Sequence, residues 1–301
     1  MTEKTPHKLG TLLVSGFLGA GKTTFIMEHV KTSQGRTAVL VNEFGDLGVD
    51  GSLIDSKNGV DVVEVPGGCI CCGQQEGLKE SIRTIAEKIK PDTLLIEPSG
   101  IAQASGVINV LEDEVLADVV RLDAVITIVD ASSFLEFSKP ETFGTFFLDQ
   151  VTNADLIVIN KTDMVSPEEL EKVSRRVSVL NPSALSVETT FCRMESPLPS
   201  GRTKKVFSMG RFSIGMECFS MVPGQPISRD RLDQFTSAVI KGSFGRVYRG
   251  KGIFPSPDGG WVNLQIVGEN VSVTPFSEEV RPRLTLIGYD LDRQQVSRFL
   301  S

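Results

Sequence analysis

Through the first two-thirds of the chain, apolar runs of strand length alternate with amphipathic stretches of helix length. Nearly continuous Val/Ile/Leu runs at residues 12–15, 38–42, 60–65, 94–97, 124–130 and 156–160 predict strands covered on both faces, as in a parallel sheet. Residues 22–31, 77–89, 106–117 and 167–180 predict the helices between them. The last of these opens with Ser166, Pro167 and Glu169, a good capping start. The pattern is that of βα units, an α/β domain with a mostly parallel sheet. Residues 194–205 (MESPLPSGRTKK) then lose all periodicity and read as a linker. Beyond them, strands are expected at 212–222, 261–267 and 283–289, with helices at 229–240 and from Asp292 onward. The expected organisation is residues 1–193 as the first domain, 194–205 as linker and 206–301 as a smaller α+β domain.

Length and composition fit this picture. A chain of 301 residues suits two domains at roughly 100–200 residues each. With 40% apolar and 23% charged residues, folding is the default. A net charge of −7 argues against a constitutive nucleic-acid binder or a basic membrane-surface protein. The opening MTEKTPHKLG has no apolar core behind a basic start, and no run of about 18 apolar residues occurs, so a cytoplasmic protein without membrane contact is expected.

The chemistry is concentrated in short motifs. GFLGAGKT at 16–23 fits G-x-x-x-x-G-K-[ST] between a predicted strand and a predicted helix. In such a loop Gly16, Gly19, Ala20 and Gly21 let backbone N–H groups curl around phosphates at a helix N-terminus. Lys22 reaches the terminal phosphates, and the hydroxyl of Thr23, followed by Thr24, ligates Mg²⁺. At the end of a later strand, Asn160-Lys161-Thr162-Asp163 resembles the guanine-reading N-K-x-D motif of GTPases. A carboxylate at Asp163 can accept two hydrogen bonds from guanine; adenine would leave that charge unpaired. Between them, the strand at 94–97 ends in Glu97, followed three residues on by Gly100. An acid there organises Mg²⁺ or the attacking water, and glycine permits a backbone N–H to approach a γ-phosphate.

Five cysteines are present, and Cys69, Cys71 and Cys72 crowd into GGCICCG at 67–73. Three thiols on one glycine-flanked loop suit Zn²⁺ or Co²⁺, with Cu(I) also open. Cys192 and Cys218 are isolated and read as structural. With only His7 and His29 available, any metal site rests on sulfur and carboxylate. Residues 42–50 (NEFGDLGVD) end a strand and carry three acids, suitable for a hard cation or for solvent.

Taken together, GFLGAGKTT at 16–24, NEFGDLGVD, GGCICC, EPSG at 97–100 and NKTD at 160–163 resemble the CobW family of metal-handling P-loop GTPases. VYRGKGIF at 247–254 and the strand around Trp261 resemble that family's C-terminal domain. The resemblance implies a P-loop GTPase domain and a GTP-hydrolysing metallochaperone or insertase. Its metal would sit on the cysteine loop with Glu43 as a further ligand, and Asp50 would approach Mg²⁺. Asn160 would bond the base's other edge and the stem of Lys161 would lie over the ring. The implied partners are GTP/GDP, a transition metal ion and a client, either a metalloprotein or a corrinoid-pathway protein, with the chain itself a monomer or homodimer.

Two features depart from the family pattern: no histidine-rich stretch is present, so bulk metal storage is not expected, and EPSG stands where many members carry E-T-x-G. Slow intrinsic turnover is expected because no glutamine or arginine finger is identifiable. The position of the cysteine loop between the phosphate loop and Glu97, where GTPases keep their switches, predicts nucleotide-dependent metal affinity. Three other readings stand beside this one: a P-loop kinase or ATPase, a non-catalytic nucleotide-gated metal sensor, and a structural zinc site.

Overall fold

In the computed structural model the described residues are 8–33, 35–41, 60–64, 75–98, 100, 102–139, 144–194, 198–199, 202, 206, 216–268, 270–276 and 282–300. They divide into two compact units, 1–212 and 213–301.

The first unit is built on seven parallel strands: β1 (Leu9–Gly16), β2 (Thr37–Val41), β3 (Val60–Glu64), β4 (Thr93–Glu97), β5 (Val120–Asp130), β6 (Leu156–Asn160) and β7 (Leu185–Glu188). Their order across the sheet is β3-β2-β4-β1-β5-β6-β7. All eight residues of β1 are buried, the expected state of a strand with helices on both faces. Its side chains alternate between two cores. Leu9 and Leu13 join the apolar face of α2 (Gln75–Thr84) and α3 (Ala104–Leu111), whereas Leu12 and Val14 pack with Phe25 and Ile26 of α1 (Lys22–Thr32). α2 continues as a π-helical turn, Ile85–Ile89, ended by Lys90 in the left-handed region. Two helices escaped the sequence pattern, α4 (Phe134–Phe137) and α5 (Gly144–Thr152). α6 (Pro167–Leu180) has the predicted bounds and a full capping box: Glu169 N–H donates to Ser166 Oγ at 3.3 Å, and Ser166 N–H donates to Glu169 Oε2 at 3.0 Å.

The segment beyond β7 lies along this unit where it is described. Met194 and Leu198 pack on the α1-side core and Val206 on the α3-side core. The buried side chain of Arg202 pairs with Asp155 at 3.6 Å.

The second unit is an antiparallel sheet in the order β11-β10-β9-β12-β8, from β8 (Met216–Met221), β9 (Arg246–Pro255), β10 (Trp261–Val267), β11 (Asn270–Phe276) and β12 (Arg283–Tyr289). α7 (Arg229–Ile240) and α8 (Arg293–Leu300) bury Leu232, Phe235, Val239, Val296 and Leu300 in one core with Phe254, Leu264, Ile266, Leu284 and Leu286. Among the described residues no helix is long and apolar enough to cross a membrane.

Candidate functional site

The carboxyl ends of β1, β4, β5 and β6 form one rim of the parallel sheet, the edge where α/β proteins bind ligands. β1 runs into the loop 16–21, and α1 starts at Lys22 with Gly21 as its N-cap at φ 113. Gly21 is required on two counts. Its backbone is left-handed, and a Cβ there would lie 2.5 Å from Asn160 Nδ2 and 3.3 Å from Cys192 Sγ. The Lys22 side chain is buried, and its Nζ donates to the loop's own Phe17 carbonyl at 3.3 Å. Phe17 in turn packs at a tilt against Phe147 of α5, with ring centroids 5.0 Å apart, and against Phe137 of α4, at 5.5 Å, which anchors the loop.

Parallel pairing of β1 with β4 sets Glu97 beside this loop. Its carboxylate, 1% exposed, accepts from Thr23 Oγ1 at 3.1 and 3.2 Å. A hydroxyl and a buried carboxylate meeting at the mouth of a phosphate loop are hard oxygen donors of the kind Mg²⁺ requires, so the residues fit that ion. Gly100 lies against the loop as well. A Cβ there would come within 2.8 Å of the Leu18 backbone nitrogen. Thr24 sits half-exposed in the first turn of α1.

At the other end of the rim, Asn160 ends β6 fully buried. Its Nδ2 donates to the Ala20 carbonyl at 2.9 Å, while Oδ1 accepts from Cys192 N–H at 3.0 Å and from Thr189 Oγ1 at 3.3 Å. The resemblance assigns Asn160 to the base; its described contacts tie the phosphate loop to residues 189–192. Lys161 adopts φ 62, and its ammonium pairs with Asp130 Oδ2 at 2.5 Å. Asp163, in the short turn Thr162–Met164, presents an exposed carboxylate.

Sequence reading passed over Asp130 and the loop 189–193. Asp130 carried a usable signal, since it is an acid ending an apolar strand, as Glu97 is. The loop carried none, because its role arises from long-range contacts to Asn160. Cys192 fits its structural reading. It is buried, its Sγ faces the Gly21 carbonyl at 3.5 Å, and burial pushes its thiol up to about 12. Cys69, Cys71, Cys72, Glu43 and Asp50 lie outside the described residues. Among the described residues no group of three or more His, Cys, Asp or Glu side chains could hold a metal ion.

Residues 10–188 match the family model described as the CobW/HypB/UreG nucleotide-binding domain, and residues 216–301 match the cobalamin synthesis protein cobW C-terminal domain. The chain belongs to the CobW family. Three curated relatives illustrate the range. Zinc-regulated GTPase metalloprotein activator 1 of Schizosaccharomyces pombe is 27% identical over 97% of this chain and 85% of its own length. The zinc chaperone YeiR of Escherichia coli is 37% identical over 55% of this chain, and the zinc chaperone CobW of Pseudomonas aeruginosa 33% identical over 65%. The matched region spans only 50% and 60% of those two relatives. A zinc-bound triple mutant of the YjiA GTPase has the same fold, with a TM-score of 0.51 at 22% identity over 97% of this chain and 98% of that one.

Proposed function

We propose that this CobW-family chain is a GTPase that binds Zn²⁺ or Co²⁺ on the Cys69, Cys71 and Cys72 loop and delivers it to a client metalloprotein or a corrinoid-pathway protein. The observation that carries the nucleotide half is the bond from Asn160 Nδ2 to the Ala20 carbonyl, 2.9 Å, which fixes the N-K-T-D turn and the phosphate loop at one rim. The curated relatives named as zinc chaperones and as a zinc-regulated GTPase activator support the metal half.

In this reading the backbone of Gly16, Gly19, Ala20 and Gly21 cradles the phosphates, and Lys22 balances their charge. Thr23 and Glu97, with Asp50, hold Mg²⁺, which when bound neutralises charge on the transferring phosphoryl group. Gly100 admits a backbone N–H to the γ-phosphate, and Asp163 selects guanine while Asn160 and Lys161 shape the base's surroundings. Glu43 adds a carboxylate to the thiolate set. Turnover of the isolated protein is slow because a client completes the site. The chain works in the cytoplasm as a monomer or homodimer, and neither a membrane nor nucleic acid takes part.

The deciding measurement is Zn²⁺ and Co²⁺ affinity in the GDP state and with a non-hydrolysable GTP analogue, with Cys71→Ser and Cys72→Ser as controls. Tight binding that needs both the triphosphate and the thiols supports a loading and release cycle, and reciprocity then requires metal to raise GTP affinity by the same factor. Equal metal affinity in the two nucleotide states defeats the cycle and leaves a structural or sensory metal.

A further inference from the structure

The loop after β7 holds two successive non-glycine residues in the left-handed region, Phe191 at φ 54 and Cys192 at φ 56. Such backbone is strained for residues with a side chain, and it persists only where the surroundings over-determine it. Here they do. Thr189 N–H donates to the Ile159 carbonyl at 2.8 Å, and Thr162 donates to the Thr189 carbonyl through both its N–H, at 3.2 Å, and its Oγ1, at 3.1 Å. The hydroxyls of Thr162 and Thr190 lie 3.0 Å apart, and Cys192 N–H reaches Asn160 Oδ1. Each tie ends on β6 or on the N-K-T-D turn, and the Cys192 thiol adds one to the phosphate loop at Gly21.

What this scaffold presents is an aromatic ring left 61% exposed, with the Arg193 guanidinium 5.9 Å from its centroid. A buried ring would offset backbone strain through packing; an exposed one does not. An exposed apolar ring on a loop tied to Thr162, the neighbour of Asp163, matches a need that the Asp163 carboxylate does not meet, a face for the heterocycle to lie against. We propose that Phe191 is a stacking wall for the purine base and so a determinant of nucleotide affinity. This rests on the reading of the rim as a guanine-nucleotide site. Because every purine has a π-face, Phe191 sets affinity for purine nucleotides in general, and discrimination stays with Asp163.

The test compares GDP, IDP, ADP and inorganic tripolyphosphate binding to the full parent chain and to the chain carrying Phe191→Ala, Phe191→Trp or Phe191→Gly, with thermal melts of each. Phe191→Ala is expected to weaken GDP and IDP alike by about 5- to 150-fold, the range base–aromatic stacking spans. Phe191→Trp should keep near-normal affinity. Tripolyphosphate binding should be unchanged in all three. Phe191→Gly should melt higher than the parent, by relief of the left-handed backbone, while losing affinity as the alanine variant does. Unchanged GDP binding by Phe191→Ala overturns the wall and leaves the nucleotide site intact. Equal loss of tripolyphosphate also overturns it, since the loop would then act on the phosphates. Parent protein that binds ADP as well as GDP defeats the guanine reading alone, and the alanine variant is then read with ADP. Parent protein that binds no nucleotide defeats both.

Discussion

The two units bury their side chains on different terms. Among the described residues the first unit buries many polar groups, including Ser15, Lys22, Glu97, Thr127, Asp149, Asn160 and Thr189, whereas Thr236 is the one so buried in the second. Such burial costs stability unless each group finds a partner. The first unit places several of these groups at the carboxyl rim of its sheet, where Glu97 meets Thr23 and Asn160 meets Ala20 and Cys192. The second unit is held by apolar contact between one sheet face and two helices, with rings such as Phe235 and Phe244 stacked 5.3 Å apart. Apolar burial depends on volume and shape, whereas the rim depends on hydrogen-bond partners as well.

The largest effect should therefore separate stability from binding. Phe254 is fully buried in the second unit, and Phe254→Ala should cost that unit about 3–5 kcal/mol. GDP affinity should stay at the parent value under conditions where both units remain folded. Calorimetry paired with GDP titration checks this, and a matching fall in affinity would break the contrast.

Asn160→Ala should act the other way. It strips a partner from the Ala20 carbonyl, the Cys192 N–H and the Thr189 hydroxyl together. With about 1–3 kcal/mol at stake for each of three buried groups left unpaired, the first unit should lose at least about 3 kcal/mol. GDP binding should weaken as well, because the two halves of the rim come untied. Urea titration of the first unit with and without GDP reads both effects, and a variant that keeps full affinity would show that the staple is structural alone.

A smaller change sharpens the point by striking the first unit away from its rim. Ser166→Ala removes the cap of α6 and should cost about 1 kcal/mol with no effect on nucleotide. If GDP affinity falls here too, the sensitivity belongs to the whole unit and not to the rim.

How much of this was readable in the residues follows the same division between local and long-range. The alternation of strands and helices, the bounds of α6, α7, β10 and β12, and the phosphate loop are contiguous features, and each announces itself. β7 reads LSVE with mostly exposed side chains, so an edge strand here has no apolar signature. β9 is interrupted by Gly250 and Gly252. A Cβ would run into Ile266 at 2.7 Å and Phe254 at 2.4 Å respectively, so the glycines that hide the strand are what its packing needs. β11 alternates well, but Pro275 argues against a strand until its place at the sheet edge is known. The Pro- and Ser-rich composition after Arg193 likewise conceals Met194, Leu198 and Val206, which lie on the first unit's cores. At the rim, the pairing of Lys161 with Asp130 crosses 31 positions and the bond from Asn160 to Ala20 crosses 140, beyond what spacing can reveal.

The mildest prediction uses pH to address one unit alone. The chain has two histidines, His7 and His29, so the second unit carries no imidazole. His29 lies half-buried in the last turn of α1, its ring stacked on Phe25 with centroids 6.0 Å apart. Burial favours the neutral ring and lowers its pKa below 6.5. The unfolded chain then takes up the proton first as pH falls. His29's contribution is fully present above about pH 6.5 and is lost as pH falls from there through the folded-state value. The first unit should lose stability across that window while the second stays level, and His29→Gln should flatten the first unit's profile. Imidazole NMR resonances, two at most, follow the titration directly. A parent profile level between pH 7 and 5, or a sloping one unchanged by His29→Gln, would show that His29 does not set the acid sensitivity of the first unit.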